Sequence, residues 1–388
     1  MSREFDVIVF GATGFTGRLV AEYLQNQYGD KLSWAMAGRS QEKLASVRAK
    51  MGVSENVPLI TADSSDAASL KAMAARTKSV CTTVGPYQLY GDGLLSACAA
   101  VGTDYVDLSG ETAWMHDTIE KYSDAAKESG ARIVHSCGFD SIPFDLGVYY
   151  AQQYAIKHHG GPCAKLRGRV RKMQGTFSGG TAASFMQMMK RAAVQPEVLD
   201  WAKDPFSLVP GFTGPAQPTG HKPIYEEDLG SWSAPFIMAS INTKNIHRSN
   251  ALLGHLYGQD FVYDEMVFTG GGEQGQMAAQ HVASSDPFGK NPPKPGEGPS
   301  KEERENGFYE VAFFGTAPDR TAITASVSGD KDPGYGSTSK MIAEAALCLG
   351  QDIDKAACGG GIYTTAPAMG EALIKRLSEK AGLRFKIE

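Results

Sequence analysis

Phe5-Asp-Val-Ile-Val-Phe10 runs straight into Gly11-Ala-Thr13-Gly14-Phe15-Thr16-Gly17, and the helix-like stretch Arg18 to Tyr28 follows at once. A continuous apolar run predicts a strand buried on both faces, as in a parallel sheet. Glycines at its end let the chain turn tightly and bring backbone amides against a pyrophosphate at the next helix's N-terminus. The spacing is G-x-x-G-x-x-G rather than G-x-G-x-x-G, and its last two glycines still fall at the phosphate approach and the helix–strand contact. In a chain with 44 glycines such a triplet is weak by itself. Its place between strand and helix makes it a dinucleotide-binding signal. The expected cofactor loop is Gly11, Thr13, Gly14, Phe15, Thr16 and Gly17.

Outward from this loop, strand and helix signals alternate as a doubly wound α/β fold requires. Strands are expected at Phe5 to Phe10, Leu32 to Ala37, Val57 to Ala62, Ser79 to Val84, Asp104 to Asp107 and Ala131 to His135. Helices are expected between them, so residues 1–150 read as a Rossmann domain with six parallel strands. After a connecting helix, Ile142 to His158, the pattern changes. Lys165 to Gln174, Phe236 to Asn242, Phe261 to Phe268, Phe308 to Thr316 and Thr321 to Ser328 predict a second α+β domain, 151–334, with a largely antiparallel sheet. Residues 335–388 return to helices, ending in Leu383 to Ile387 as a last strand or an ordered tail. The Pro/Gly-rich stretch from Ser285 to Gly307 is a long loop, open between a cover for the site and a surface excursion.

Composition bounds the class. With 388 residues the chain is long enough for two cores, and 42% apolar residues suffice to build them. A net charge of −5 argues against nucleic acid as a partner, which needs a basic face. No stretch approaches the ~20 apolar residues of a membrane span, and the N-terminus enters a strand without an apolar leader, so a cytoplasmic protein is expected. The six cysteines form no C-x-x-C pair and read as reduced thiols; no metal site is expected.

Cofactor choice turns on the end of the second strand. An acidic residue there grips the ribose hydroxyl of NAD, whereas Arg accommodates the 2′-phosphate of NADP. This chain has Gly38-Arg39-Ser40 and no acid, which predicts NADP(H) in preference to NAD(H). Asp63 and Ser64, ending the third strand, fall at the adenine edge, or alternatively cap the helix from Ala67. Val84-Gly85-Pro86-Tyr87 ends the fourth strand and should face the nicotinamide half. The ends of strands five and six bring Ser109, Glu111 and Asp140 to the same rim. Tyr87, Ser109, Glu111 and Asp140 are therefore the candidate catalytic residues, Tyr87 as a possible proton donor or a packed turn residue. None of the fifteen tyrosines has Lys four residues later, which removes the short-chain dehydrogenase acid–base pair. A Gly-x-Ser-x-Gly nucleophile elbow is also missing. Phe185-Met-Gln-Met-Met189 and Phe236-Ile-Met-Ala could line an apolar tunnel or be core.

GATGFTGRLVAEYL, the AGRS at 37–40, the block VGPYQLYGDGLLSACAAVGTDYVDLSGE at 84–111, HSCGFDSIPFDLG at 135–147 and the C-terminal APAMGEALIKRL together resemble the saccharopine dehydrogenase-like oxidoreductases. The similarity is greatest to the branch of trans-acting enoyl reductases. The resemblance implies a Rossmann domain, a substrate and dimerisation domain, hence a homodimer, and a C-terminal segment packing back on the Rossmann unit. It also implies NADPH-dependent reduction of a carbon–carbon double bond in a lipid or polyketide acyl chain, and names no catalytic residue. A saccharopine-type amino-acid dehydrogenase and a nucleotide-binding scaffold without turnover are the alternatives.

Overall fold

The computed structural model describes residues 3–176, 179–286 and 297–388. Strands β1 (Phe5–Phe10), β2 (Trp34–Gly38), β3 (Leu59–Thr61), β4 (Thr77–Thr82), β5 (Asp104–Val106) and β6 (Arg132–Val134) all run parallel. Their side chains are buried almost without exception because helices cover both faces of the sheet. With β1 between β4 and β2, the loops after β1, β4, β5 and β6 open on one rim.

The sheet has a seventh strand beyond the six expected. Gly361–Tyr363 pairs parallel with β6, Gly361 opposite Arg132, giving the order β13-β6-β5-β4-β1-β2-β3. This strand, β13, has three residues, too few to carry a readable period.

The second sheet holds β7 (Lys165–Gln174), β8 (Ile224–Glu226), β9 (Ser231–Pro235), β10 (Val262–Gly270), β11 (Phe308–Thr316), β12 (Ala322–Gly329) and β14 (Arg384–Ile387). Its order is β14-β12-β11-β7-β10-β9-β8, and β7–β10 is its one parallel pair. The chain's last strand thus edges the second sheet, while β13 edges the first.

One expected strand is corrected. Phe236 to Asn242 is the turn after β9 and the start of a helix, Ala239–Leu252. That helix buries Asn242, Lys244, Asn245, His247, Arg248, Ser249 and Asn250. Its inward face is polar, so no apolar 3.6-residue period announces it. Part of this face is bonded: Asn245 donates to Ser141, Ser249 to Asp145, and Arg248 to the carbonyls of Leu208 and Ile362. Lys244 donates to the carbonyls of Ala202 and Ser240. Such bonds offset the cost of burial, while Asn242 Oδ1, Asn245 Oδ1, His247 Nε2 and Arg248 Nε have no hydrogen-bond partner among the described residues. Residues 287–296 of the expected Pro/Gly loop lie outside the described residues, and its later part is not all loop: Glu297–Ser300 leads into a short helix, Lys301–Asn306, capped by Ser300.

The C-terminal segment is tied to the first helix, Phe15–Tyr28, by a buried carboxylate. Glu344 accepts hydrogen bonds from Tyr23 (2.6 Å) and Tyr28 (2.8 Å) and pairs with Arg376 at 3.0 Å. Arg376 also reaches Asp352 at 2.7 Å. Breaking a buried pair leaves an uncompensated charge, which costs about 3–5 kcal/mol. Glu344→Ala is expected to lose that much in urea unfolding and Glu344→Gln less; a loss below about 1 kcal/mol for Glu344→Ala would contradict the role.

Candidate active site

The glycine turn has the geometry of a phosphate cradle. Gly11 has φ +86°, a left-handed conformation that side chains disfavour. A Cβ on Gly17 would lie 2.2 Å from the Gly11 carbonyl oxygen, so the helix starts in direct backbone contact with the turn. Gly14 caps this helix in extended conformation without a side-chain acceptor, and no acidic residue occupies the first turn. The first-turn amides of Phe15, Thr16 and Gly17 are thereby left for an anion, and the residues present fit a dinucleotide pyrophosphate. Thr13 stands beside the end of β2, where a Cβ on Gly38 would lie 3.9 Å from its hydroxyl.

At the end of β2, Arg39 is exposed and makes none of the chain's ion pairs among the described residues. Ser40 caps the helix Gln41–Lys50 by accepting from the Lys43 amide at 3.3 Å. Asp63 accepts from the Ser65 amide and hydroxyl, which hold its carboxyl below the ordinary range, with the Arg39 charge adding to the effect. The helix from Ala67 is capped by Asp66, not by Asp63 or Ser64.

The loop after β4 is held by its neighbours. Tyr87 stacks on Trp114 with ring centroids 5.5 Å apart. Its hydroxyl donates to the Thr82 carbonyl at 3.2 Å and accepts from the Leu108 amide at 3.0 Å, bridging the ends of β4 and β5. Burial raises the phenol well above its ordinary pKa. Its ring faces the cavity described below while its hydroxyl is engaged behind it, so the expected proton-donor role has no free group. Glu111 accepts from the Tyr87 amide (2.7 Å), the Gln88 amide (2.9 Å) and the Ser184 hydroxyl (2.7 Å). Burial raises its pKa against those three bonds. Ser109, expected on the rim, is instead buried: it accepts from the Glu111 amide, and its carbonyl accepts from Ser136. It braces the loop and does not border the cavity.

A cavity of about 320 Å³ opens between the glycine loop and the second sheet. Gly14, Phe15 and Thr16, with Tyr335 packed on Phe15, border it on one side, Gly85, Tyr87, Gly110 and Asp140 along the rim, and Met173, Ser184, Phe236 and Met238 opposite. Val84 and Pro86 lie within the same rim loop. Asp140 and Glu297 are the charged side chains of this lining among the described residues. Asp140 is half-buried and makes no hydrogen bond or ion pair among the described residues, and burial alone pushes its carboxyl up to about 7. Tyr335 packs edge-on against Phe15 at 4.6 Å. Neither Tyr335 nor Pro333, Gly334 and Thr338 beside it was singled out by sequence, since no strand end or motif marks them. Of the two apolar runs, Phe236 and Met238 reach the cavity. Phe185, Met186 and Met189 are exposed, Met186 to 56%, while Met188 packs against the small buried cluster of Ala113, Ala192 and Val198; among the described residues none of the four borders the cavity.

Comparison with known proteins then decides the family. Residues 7–134 match the family model described as the saccharopine dehydrogenase NADP binding domain. A candidate trans-acting enoyl reductase of Mycobacterium tuberculosis is 41% identical, covering 97% of this chain and 96% of that protein. The trans-acting enoyl reductase of Mycobacterium bovis BCG is 36% identical with the same coverage. The chain belongs to the trans-acting enoyl reductase family. It is an NAD(P)H-dependent oxidoreductase with a saccharopine dehydrogenase-type NADP-binding domain. Saccharopine dehydrogenase (L-Glu forming) from Saccharomyces cerevisiae shares the fold, with a TM-score of 0.55 at 11% identity and 99% of each chain covered.

An Arg–phosphate bond contributes about 1.5–3 kcal/mol, or roughly ten- to a hundredfold in affinity. Arg39→Ala is therefore expected to weaken NADPH binding by that factor and leave NADH unchanged. Calorimetric titration of both cofactors checks this; equal losses, or none, would remove Arg39 from the cofactor site.

Proposed function

We propose that this protein reduces the carbon–carbon double bond of an uncharged, activated acyl chain, with NADPH supplying the hydride. The observation that carries the reading is the cavity wall: no Arg or Lys borders it among the described residues, and Phe139, Phe236, Met173 and Met238 do. An amino-acid substrate brings carboxylates into a partly desolvated space, which needs cationic partners. An enoyl group needs apolar contact, and its carbonyl needs only a donor where charge develops. The names of the curated relatives support the same reaction. The scaffold alternative has no observation in its favour.

In this reading Gly11, Thr13, Gly14, Phe15, Thr16 and Gly17 hold the pyrophosphate, Arg39 and Ser40 the 2′-phosphate, and Asp63 and Ser64 the adenosine edge. Val84, Gly85 and Pro86 run beneath the nicotinamide. Tyr87 and Glu111 position that loop, and Ser109 braces it from behind. The units are 1–150 for the cofactor, 151–334 for the substrate and 335–388 for the segment that joins both sheets. A homodimer through the second sheet belongs to the same reading, supported by the exposed side chains of Ile224 and Tyr225 on edge strand β8, and sedimentation velocity tests it.

NADPH oxidation measured with a medium-chain α,β-unsaturated thioester, against an amino acid with a semialdehyde partner, tests the reaction. Turnover with the thioester alone is expected. Oxidation with the amino-acid pair alone would replace the proposal by the dehydrogenase reading.

A further inference from the structure

We propose that Asp140 is the proton donor that completes the reduction, delivering its carboxyl proton to the substrate's α-carbon. The inference rests on the enoyl reading above and assigns the one step that reading leaves without a residue. Hydride addition at the β-carbon breaks the π bond and moves its electron pair onto the α-carbon and carbonyl oxygen as an enolate. The O–H bond of Asp140 then breaks, a C–H bond forms at the α-carbon, and the carboxylate takes a proton back from water.

Four titratable side chains border the cavity among the described residues: Tyr87, Asp140, Glu297 and Tyr335. The Tyr87 hydroxyl is committed to Thr82 and Leu108. Tyr335 stands against Phe15 on the glycine-loop side. Glu297 enters from the returning loop and has partners of its own. Asp140 follows β6 and lies beside the β5 loop: a Cβ on Gly110 would be 3.9 Å from its Oδ2 and 2.9 Å from Ile241 Cδ1. That position is outside the carboxyl ends of β5 and β6, where an α/β sheet presents the reacting end of its ligand.

The groups behind it are occupied. Asp107 binds Tyr105, His135 and the amides of Ser109 and Ser136, and Glu111 binds the Tyr87 loop. From the helix Ala239–Leu252, Asn245 donates to Ser141 and Lys244 to two carbonyls. On the helix that follows it, Ile142–His159, Asp145 is bonded to Ser249 and Thr365. Among the described residues no cation pairs with Asp140 to keep it ionised, and burial holds its proton on to about pH 7, where a general acid serves best.

The test joins turnover to a titration of the resting protein. With an octenoyl thioester, wild-type kcat should be level below about pH 7 and fall as the carboxyl ionises above it. Asp140→Asn should lower kcat by about 10²-fold or more, abolish that fall and leave the NADPH Kd unchanged, which also reports the fold intact. Asp140→Glu should restore part of the rate, and Tyr335→Phe, whatever its rate, should still show the fall above about pH 7. In ¹³C-carboxyl NMR of the cofactor-free protein, a resonance titrating near 7 should vanish in Asp140→Asn. A carboxyl titrating in the ordinary range, or an Asp140→Asn enzyme with wild-type rate and profile, overturns the assignment. If wild type itself never turns over the thioester, the enoyl reading falls first and takes this step with it.

Discussion

The contact between Gly17 and the Gly11 carbonyl is the constraint on which the site depends. With 2.2 Å between that oxygen and any Cβ at position 17, only glycine lets the first helix begin against the end of β1. The helix's free amides then stand at the middle of the parallel sheet, and the loops after β4, β5 and β6 line up beside them. Everything chemical in the molecule is arranged along that rim. The second sheet closes it from above through Met173 on β7, and the turn after β9 through Phe236 and Met238.

Polar groups hold this arrangement where apolar packing alone would not orient it. Glu111 joins the β4 loop to the helix bearing Ser184, Asp107 locks the β5 and β6 loops, and Glu344 fastens the C-terminal helices to the first helix. Each is a buried carboxylate with several donors, costly if any donor is lost and directional while all are present. Asp140 is the exception. It is half-buried at the cavity wall with no donors among the described residues, so nothing offsets the loss of water that pushes its carboxyl up to about 7.

Sequence reading recovered what strong periods and glycine punctuation encode. The apolar strands of the first sheet, the turn at Gly11–Gly17 and the long strands β7, β11 and β12 all have such signals. It misread Phe236 to Asn242, because four apolar residues in a row fit strand or turn alike and the helix that follows buries polar side chains. β13 was too short to carry a pattern. At the rim, position on the strand ends singled out Tyr87, Ser109, Glu111 and Asp140, but which way each side chain faces is set by tertiary contacts. Tyr87 and Asp140 border the cavity, Glu111 stands one step behind, and Ser109 is turned inward. Tyr335 lies 320 residues beyond Phe15, and no local signal ties the two together.

The most direct measurement of the central claim is a crystal structure with NADP⁺ and a non-reactive enoyl thioester analogue bound together. The account predicts the nicotinamide over the Gly85–Tyr87 loop, the acyl carbons against Phe236 and Met238, and the α-carbon facing Asp140. An analogue bound outside this cavity, or with its thioester paired to Arg or Lys side chains, would contradict it.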